Sequence, residues 1–146
     1  MSLIKNKSGI QLELRKEMEL RDKAISGDMI LVVSPAALGS SAAAVTAAIA
    51  GSGFTRDVVI ELQAANGDVH SWFDGTFTIA IAEVTAGTGT ASIVSTTATF
   101  ENGRCTITIT YIGTWAAADT ATLTITGGTK LGYTIANKTS VDTLIA

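Results

Sequence analysis

The chain has 146 residues, 47% of them hydrophobic, with a mean hydropathy of +0.38 and a formal charge of −3. That length fits one domain with an appendage, and the composition excludes an intrinsically disordered chain. A single cysteine and a single histidine exclude an internal disulfide framework and leave no recurring zinc-ligand spacing.

Charge is distributed unevenly. Residues 1–26 contain six Lys/Arg and four Asp/Glu, a net of +2, whereas the other 120 residues contain four and nine, a net of −5. The bases of the first segment are interleaved with acids and the body has no basic cluster, which argues against a nucleic-acid surface. Met1–Ser8 has neither an apolar core nor a small-residue cleavage site, so no secretory signal is expected. No run approaches the ~20 apolar residues that span a bilayer. The expectation is a protein made in a reducing cytoplasm, with no membrane partner.

In chain order, Ser8-Gly9-Ile10-Gln11 fits a capping box, in which Ser8 accepts from a first-turn amide and Gln11 reaches back. Ile10, Leu14, Met18 and Ile25 follow at helical spacing, interrupted by Arg21, and Gly27 closes the pattern. The spacing predicts an amphipathic helix over residues 8–26. Such a helix is marginal alone in water and must bury its stripe, either on its own domain or on a neighbour. The charge break at Gly27 favours the neighbour. Ile10, Leu14, Met18, Arg21 and Ile25 are therefore the candidate docking residues, and the chain divides into a docking or oligomerising arm, 1–26, and a body, 27–146.

From Asp28 the period becomes two. Met29–Val33 reads as a strand stopped by Ser34-Pro35. Residues 41–50 fit an Ala-rich helix or a small-residue strand, and the flanking glycines favour a strand. Val58, Ile60 and Leu62 alternate with Val59, Glu61 and Gln63, and Asn66-Gly67 predicts a type I′ hairpin onto Val69–Phe73. Asp74-Gly75 reads as a turn before the strand Thr76–Ile81. A strand near Thr97–Phe100, a hairpin turn at Asn102-Gly103, and the strand Cys105–Tyr111 with Thr106, Thr108 and Thr110 on its other face come next. Ala121, Leu123 and Ile125 repeat that alternation, Gly127-Gly128 ends it, and a last strand is expected near Thr139–Ile145. The result is a mainly β chain: an antiparallel sandwich of seven or eight strands preceded by the helix.

The stretch from Thr90 to Thr126, which contains Ala98-Thr99-Phe100-Glu101-Asn102-Gly103-Arg104-Cys105-Thr106-Ile107-Thr108-Ile109-Thr110-Tyr111, Gly113-Thr114-Trp115 and Ala118-Asp119-Thr120-Ala121-Thr122-Leu123, resembles bacterial and phage immunoglobulin-like domains of the invasin-related kind. The resemblance covers about a quarter of the chain and implies an Ig-like sandwich. Such modules are common on virions and bacterial surfaces. A compact chain with a charged N-terminal helix resembles an accessory protein of a tailed phage, such as a capsid decoration protein.

Candidate chemistry is sparse. His70 and Ser71 are adjacent, so on a strand they would diverge to opposite faces, and His70 reads as a surface strand residue. Cys105 is in phase with Ile107 and Ile109 and reads as a small buried hydrophobe. Asp57, Asp68, Asp74 and Asp119 fall at expected strand ends or turns, where Asp bonds the local backbone. Trp72 and Trp115 are the candidate recognition residues, with Trp115 either capping one end of the sandwich or anchoring an interface. No enzymatic activity and no cofactor is expected. The expected role is that of a virion structural protein whose partners are capsid or tail subunits or further copies of itself. The rival is a carbohydrate- or surface-binding Ig-like module using Trp72, Trp115 and the polar threonine faces.

Overall fold

A computed structural model describes residues 29–145. The predicted helix over 8–26, with Ile10, Leu14, Met18, Arg21 and Ile25, lies outside the described residues. Ten strands and one helix follow in the order β1 (Ile30–Ser34), α1 (Ala42–Ser52), β2 (Phe54–Gln63), β3 (Thr76–Val84), β4 (Thr90–Ile93), β5 (Thr97–Thr99), β6 (Arg104–Ile112), β7 (Thr120–Thr126), β8 (Gly128–Lys130), β9 (Tyr133–Ile135) and β10 (Lys138–Thr143).

Eight of the strands form two four-stranded antiparallel sheets, ordered β1-β2-β6-β4 and β10-β7-β3-β5, and β8-β9 is a separate hairpin. These orders match the A-B-E-D and G-F-C arrangement of an immunoglobulin-type sandwich, with β5 added beyond β3. The chain leaves the first sheet at Ile93 and joins the second at Thr97, and Ile79 N donates to Thr96 O at 2.8 Å where it crosses.

Alternation sets the core. Val58, Ile60 and Leu62 on β2 and Ile109 and Tyr111 on β6 face Phe77 and Ile79 on β3 and Ala121, Leu123 and Ile125 on β7. Each fully buried Leu, Ile or Phe contributes about 1.5–3 kcal/mol. Phe73, Phe77 and Phe100 pack at the start of β6, with ring centroids 5.1–5.8 Å apart. Phe54, Tyr111 and Trp115 pack at its far end, at 5.5–5.6 Å. Threonine fills much of the outer faces, where its branched Cβ suits the pleat and its hydroxyl meets water.

Three local expectations are corrected. Residues 42–52 form a helix rather than a strand. Six alanines between Ser41 and Ala50 favour helix by intrinsic propensity. Ser41 caps it by accepting from Ala44 N at 3.1 Å, and Gly53, at φ 81°, closes it by donating to Ile49 O at 3.1 Å. Asn66-Gly67 reverses the chain, but only Gly67 has positive φ. Asn66 Oδ1 instead accepts from Asp68 N at 3.0 Å, and the returning segment makes one bridge, Gln63 to Val69, before it turns again. Asp74-Gly75 makes no turn: Gly75 O accepts from Phe100 N at 2.7 Å.

Asn102-Gly103 is the turn that alternation and turn chemistry predict. Both residues have positive φ, 53° and 77°, and Glu101 and Arg104 exchange backbone bonds across it at 2.9 and 3.1 Å.

Candidate functional site

The most polar buried place in the described residues joins the two sheets. Arg56 on β2 shares the inward face of Val58, Ile60 and Leu62, and is 8% exposed. Asp142 on β10 is 1% exposed and faces it from the other sheet. Arg56 Nη1 donates to both Asp142 oxygens, at 2.8 and 2.9 Å, and Arg56 Nη2 donates to Pro35 O. Asp142 Oδ1 also accepts from Leu38 N at 2.8 Å, and Oδ2 accepts from the Tyr111 hydroxyl.

This is a closed clamp. Two side chains of the first sheet and one of the second meet in the core, and the same carboxylate holds the segment between β1 and α1. Ser140 Oγ donates to Ala36 O at 2.6 Å beside it. Burial, reinforced by the hydrogen bond and negative charge of Asp142, pushes the Tyr111 phenol well above its ordinary range. The phenol is therefore held protonated and donating. It is fully buried, so the group is a structural donor rather than a nucleophile.

The other polar residues singled out in the sequence are also engaged in the fold. Asp119, 4% exposed, accepts from Ala86 N at 2.9 Å and Ala116 N at 2.8 Å, tying the β3–β4 connection to the β6–β7 connection. Asp74 accepts from Asn102 N at 2.9 Å, and Asp68 is held by Asn66 at 3.0 Å. Asp57 lies within β2 rather than at its end, accepting from Thr108 Oγ1 at 2.6 Å.

His70 is a correction. It is buried rather than a surface strand residue, because its N donates to Leu62 O at 2.8 Å and its O accepts from Phe73 N at 3.0 Å, folding the segment over the end of β2. Its ring lies 5.7 Å from Trp72. Of the two roles expected of Trp115, the structure shows the capping one: it is 4% exposed. Its Nε1 donates to Ile112 O at 3.1 Å and its N to Thr46 Oγ1 at 3.2 Å, so it caps the end of the core against α1. Trp72 is half-buried and set edge-on to Phe73 at 6.1 Å. The two tryptophans serve separate ends of the sandwich and form no joint patch.

Cys105 is half-buried rather than buried, and desolvation raises its thiol pKa. It borders an open cleft of about 480 Å³ between β5 and β6, with Ile79, Ile93, Val94 and Ile107 among its lining. Among the described residues, no group of three or more His, Cys, Asp or Glu is placed to hold a metal ion, and no helix is long and apolar enough to cross a membrane.

Arg56 and Asp142 were the residues that sequence reasoning passed over. Extending the alternation of Val58, Ile60 and Leu62 back by one step reaches Arg56, an inward charge that requires a buried partner. Its partner is 86 positions away, and no local pattern names it.

No protein-family model matches the sequence, and no curated protein matches it. Among solved structures, the chain is similar to domains 4 and 5 of the S-layer protein SbsC, at 17% identity and a TM-score of 0.40. The match covers 80% of this chain and 51% of that one, so the chain spans about half the length of the structure it matches.

Proposed function

We propose that this chain is a non-enzymatic structural protein of a virion, a capsid decoration or accessory subunit of a tailed phage. Residues 1–26 dock it on capsid or tail subunits, and the sandwich is displayed outward. The observation that carries this reading is where the polar groups go: Arg56, Asp119, Asp142 and Tyr111 are buried and bonded to the fold's own strands and connections. Such an interior suits a rigid module whose work is done at its surface. The charge partition at Gly27 and the resemblance of residues 90–126 to phage immunoglobulin-like domains support the same reading. The carbohydrate-binding alternative drew on Trp72, Trp115 and the threonine faces, and the burial of Trp115 removes one of these.

The test is the copy number of the chain in particles purified from an infected producer culture, by quantitative mass spectrometry. A structural subunit is present in a fixed number of copies that fits the particle's symmetry. Absence from intact particles, or a trace amount that washes away, contradicts the reading.

A further inference from the structure

The β8–β9 hairpin belongs to neither sheet, and a leucine stands at its tip. The two-residue turn Leu131-Gly132 has positive φ at both positions, 53° and 83°. Such a turn takes asparagine or aspartate before glycine, as at Asn102-Gly103, because in a left-handed leucine the Cβ crowds the following carbonyl. Leu131 breaks that rule, and no contact within the chain offsets the strain: it is 64% exposed and no part of the core. Strain kept in this way marks a residue presented to a partner. The tip is also firmly mounted. Ile135 is buried in the core, Gly127 N donates to Asn137 Oδ1 at 2.8 Å across the base, and Lys130 Nζ lies 5.0 Å from the centre of the Phe77 ring.

We propose that the Leu131 tip of one copy seats in the cleft between β5 and β6 of a second copy. The cleft, of about 480 Å³, is open to solvent and lined by the half-buried Ile93, Cys105 and Ile107, and Val94 at its lip is 98% exposed. Leu131 is not part of its lining, so a chain's own tip does not fill it. Seating the tip removes Leu131 and Val94 from water together, at little ordering cost because the hairpin is already fixed.

The charges select the same pairing. Residues 120–141 contain two lysines, Lys130 in the hairpin and Lys138 just after it, and no acid. Residues 57–101 contain six acids and no Lys or Arg. Two of these acids, Asp74 and Glu101, are exposed and line a recess that shares Thr99 with the cleft. Among the described residues, none of these two lysines and two acids is in an ion pair. A cationic tip therefore meets an acid-flanked cleft, whereas tip against tip or cleft against cleft sets like charges together. Each copy offers one tip and one cleft, so the contact closes as a reciprocal pair or runs on as a chain. This inference is independent of the virion reading and holds for any setting in which the chain is concentrated.

Sedimentation of the full chain, native and Leu131→Gly, tests it. Glycine adopts the left-handed conformation freely, so the variant is expected to keep or raise the urea midpoint while its dissociation constant for self-association rises at least about tenfold. Val94→Asp, at the exposed lip of the cleft, is expected to weaken association by a similar factor, and added salt to weaken the native contact. Cys105 supplies a covalent report from inside the cleft. On copper-catalysed air oxidation, Leu131→Cys is expected to link its new thiol to Cys105 of a second copy, seen as dimers or a ladder on a non-reducing gel and as the joined 131–105 peptides by mass spectrometry. Thr55→Cys, exposed on β2, gives no such link to Cys105. A native chain that is monomeric at all concentrations, a dissociation constant unmoved by Leu131→Gly, or an oxidised Leu131→Cys chain without the link between copies overturns the proposal.

Discussion

Arg56 is charged, sits on an inward face and is 8% exposed, a position that an isolated cation cannot occupy without a large desolvation cost. Asp142 makes it tolerable by accepting two of its bonds, and Tyr111 and Leu38 N complete the carboxylate's shell. Removing one partner strands the other. Asp142→Ala is expected to lower stability by about 3–5 kcal/mol in urea unfolding, whereas the double change Arg56→Met with Asp142→Leu costs markedly less. Equal losses for the two would mean that the clamp is not a coupled unit. Tyr111 supplies a pH signature. The unfolded chain releases the phenol proton near pH 10, while burial and Asp142 make the folded chain hold it to higher pH. Over that interval the folded state binds more protons, so stability is full below about pH 10 and falls as pH rises. Tyr111→Phe is expected to flatten this alkaline decline in pH-dependent urea titrations, and an unchanged slope would contradict the assignment.

At the scale of elements, legibility followed the physics of each segment. β6 and β7 were readable because threonine and aliphatic residues alternate with period two and the outer face meets water. α1 was not, because a run of alanines carries no face: helix and strand leave the same pattern, and Gly53, one of the glycines that suggested strand ends, is the helix C-cap. The β8–β9 hairpin was missed for a different reason. Its turn places Leu131 at φ 53°, a conformation that no turn rule assigns to leucine, ahead of Gly132. Cys105 followed its phase, but the cleft beside it, open because β4 leaves the sheet at Ile93, keeps it half-exposed. The Asn102-Gly103 turn, by contrast, has chemistry that only one conformation satisfies. A Cβ on Gly103, at φ 77°, would lie 2.4 Å from His70 O. Gly103→Ala is therefore expected to cost more than the ~1–2 kcal/mol of a left-handed non-glycine residue alone, read as a lowered urea midpoint at unchanged m-value. A loss below that range would mean the His70 segment yields freely.

For the whole molecule, the sandwich class came from alternation and turn spacing, because these are local. The clamp did not, since it unites β2, β6 and β10 through contacts up to 86 residues apart. The short cover of β6 was equally hidden: which strand covers which neighbour is a property of sheet order, and β4 leaves before reaching Cys105–Thr108. The functional account joins an inward-bonded sandwich to a charged arm, and its central claim is that residues 1–26 hold the chain on a particle. The most direct measurement is the share of chain that bands with intact particles in a density gradient, full length against residues 27–146. The account predicts that the full chain co-bands in fixed proportion, while the shorter chain, folded by circular dichroism, stays at the top. Equal banding of the two would contradict it.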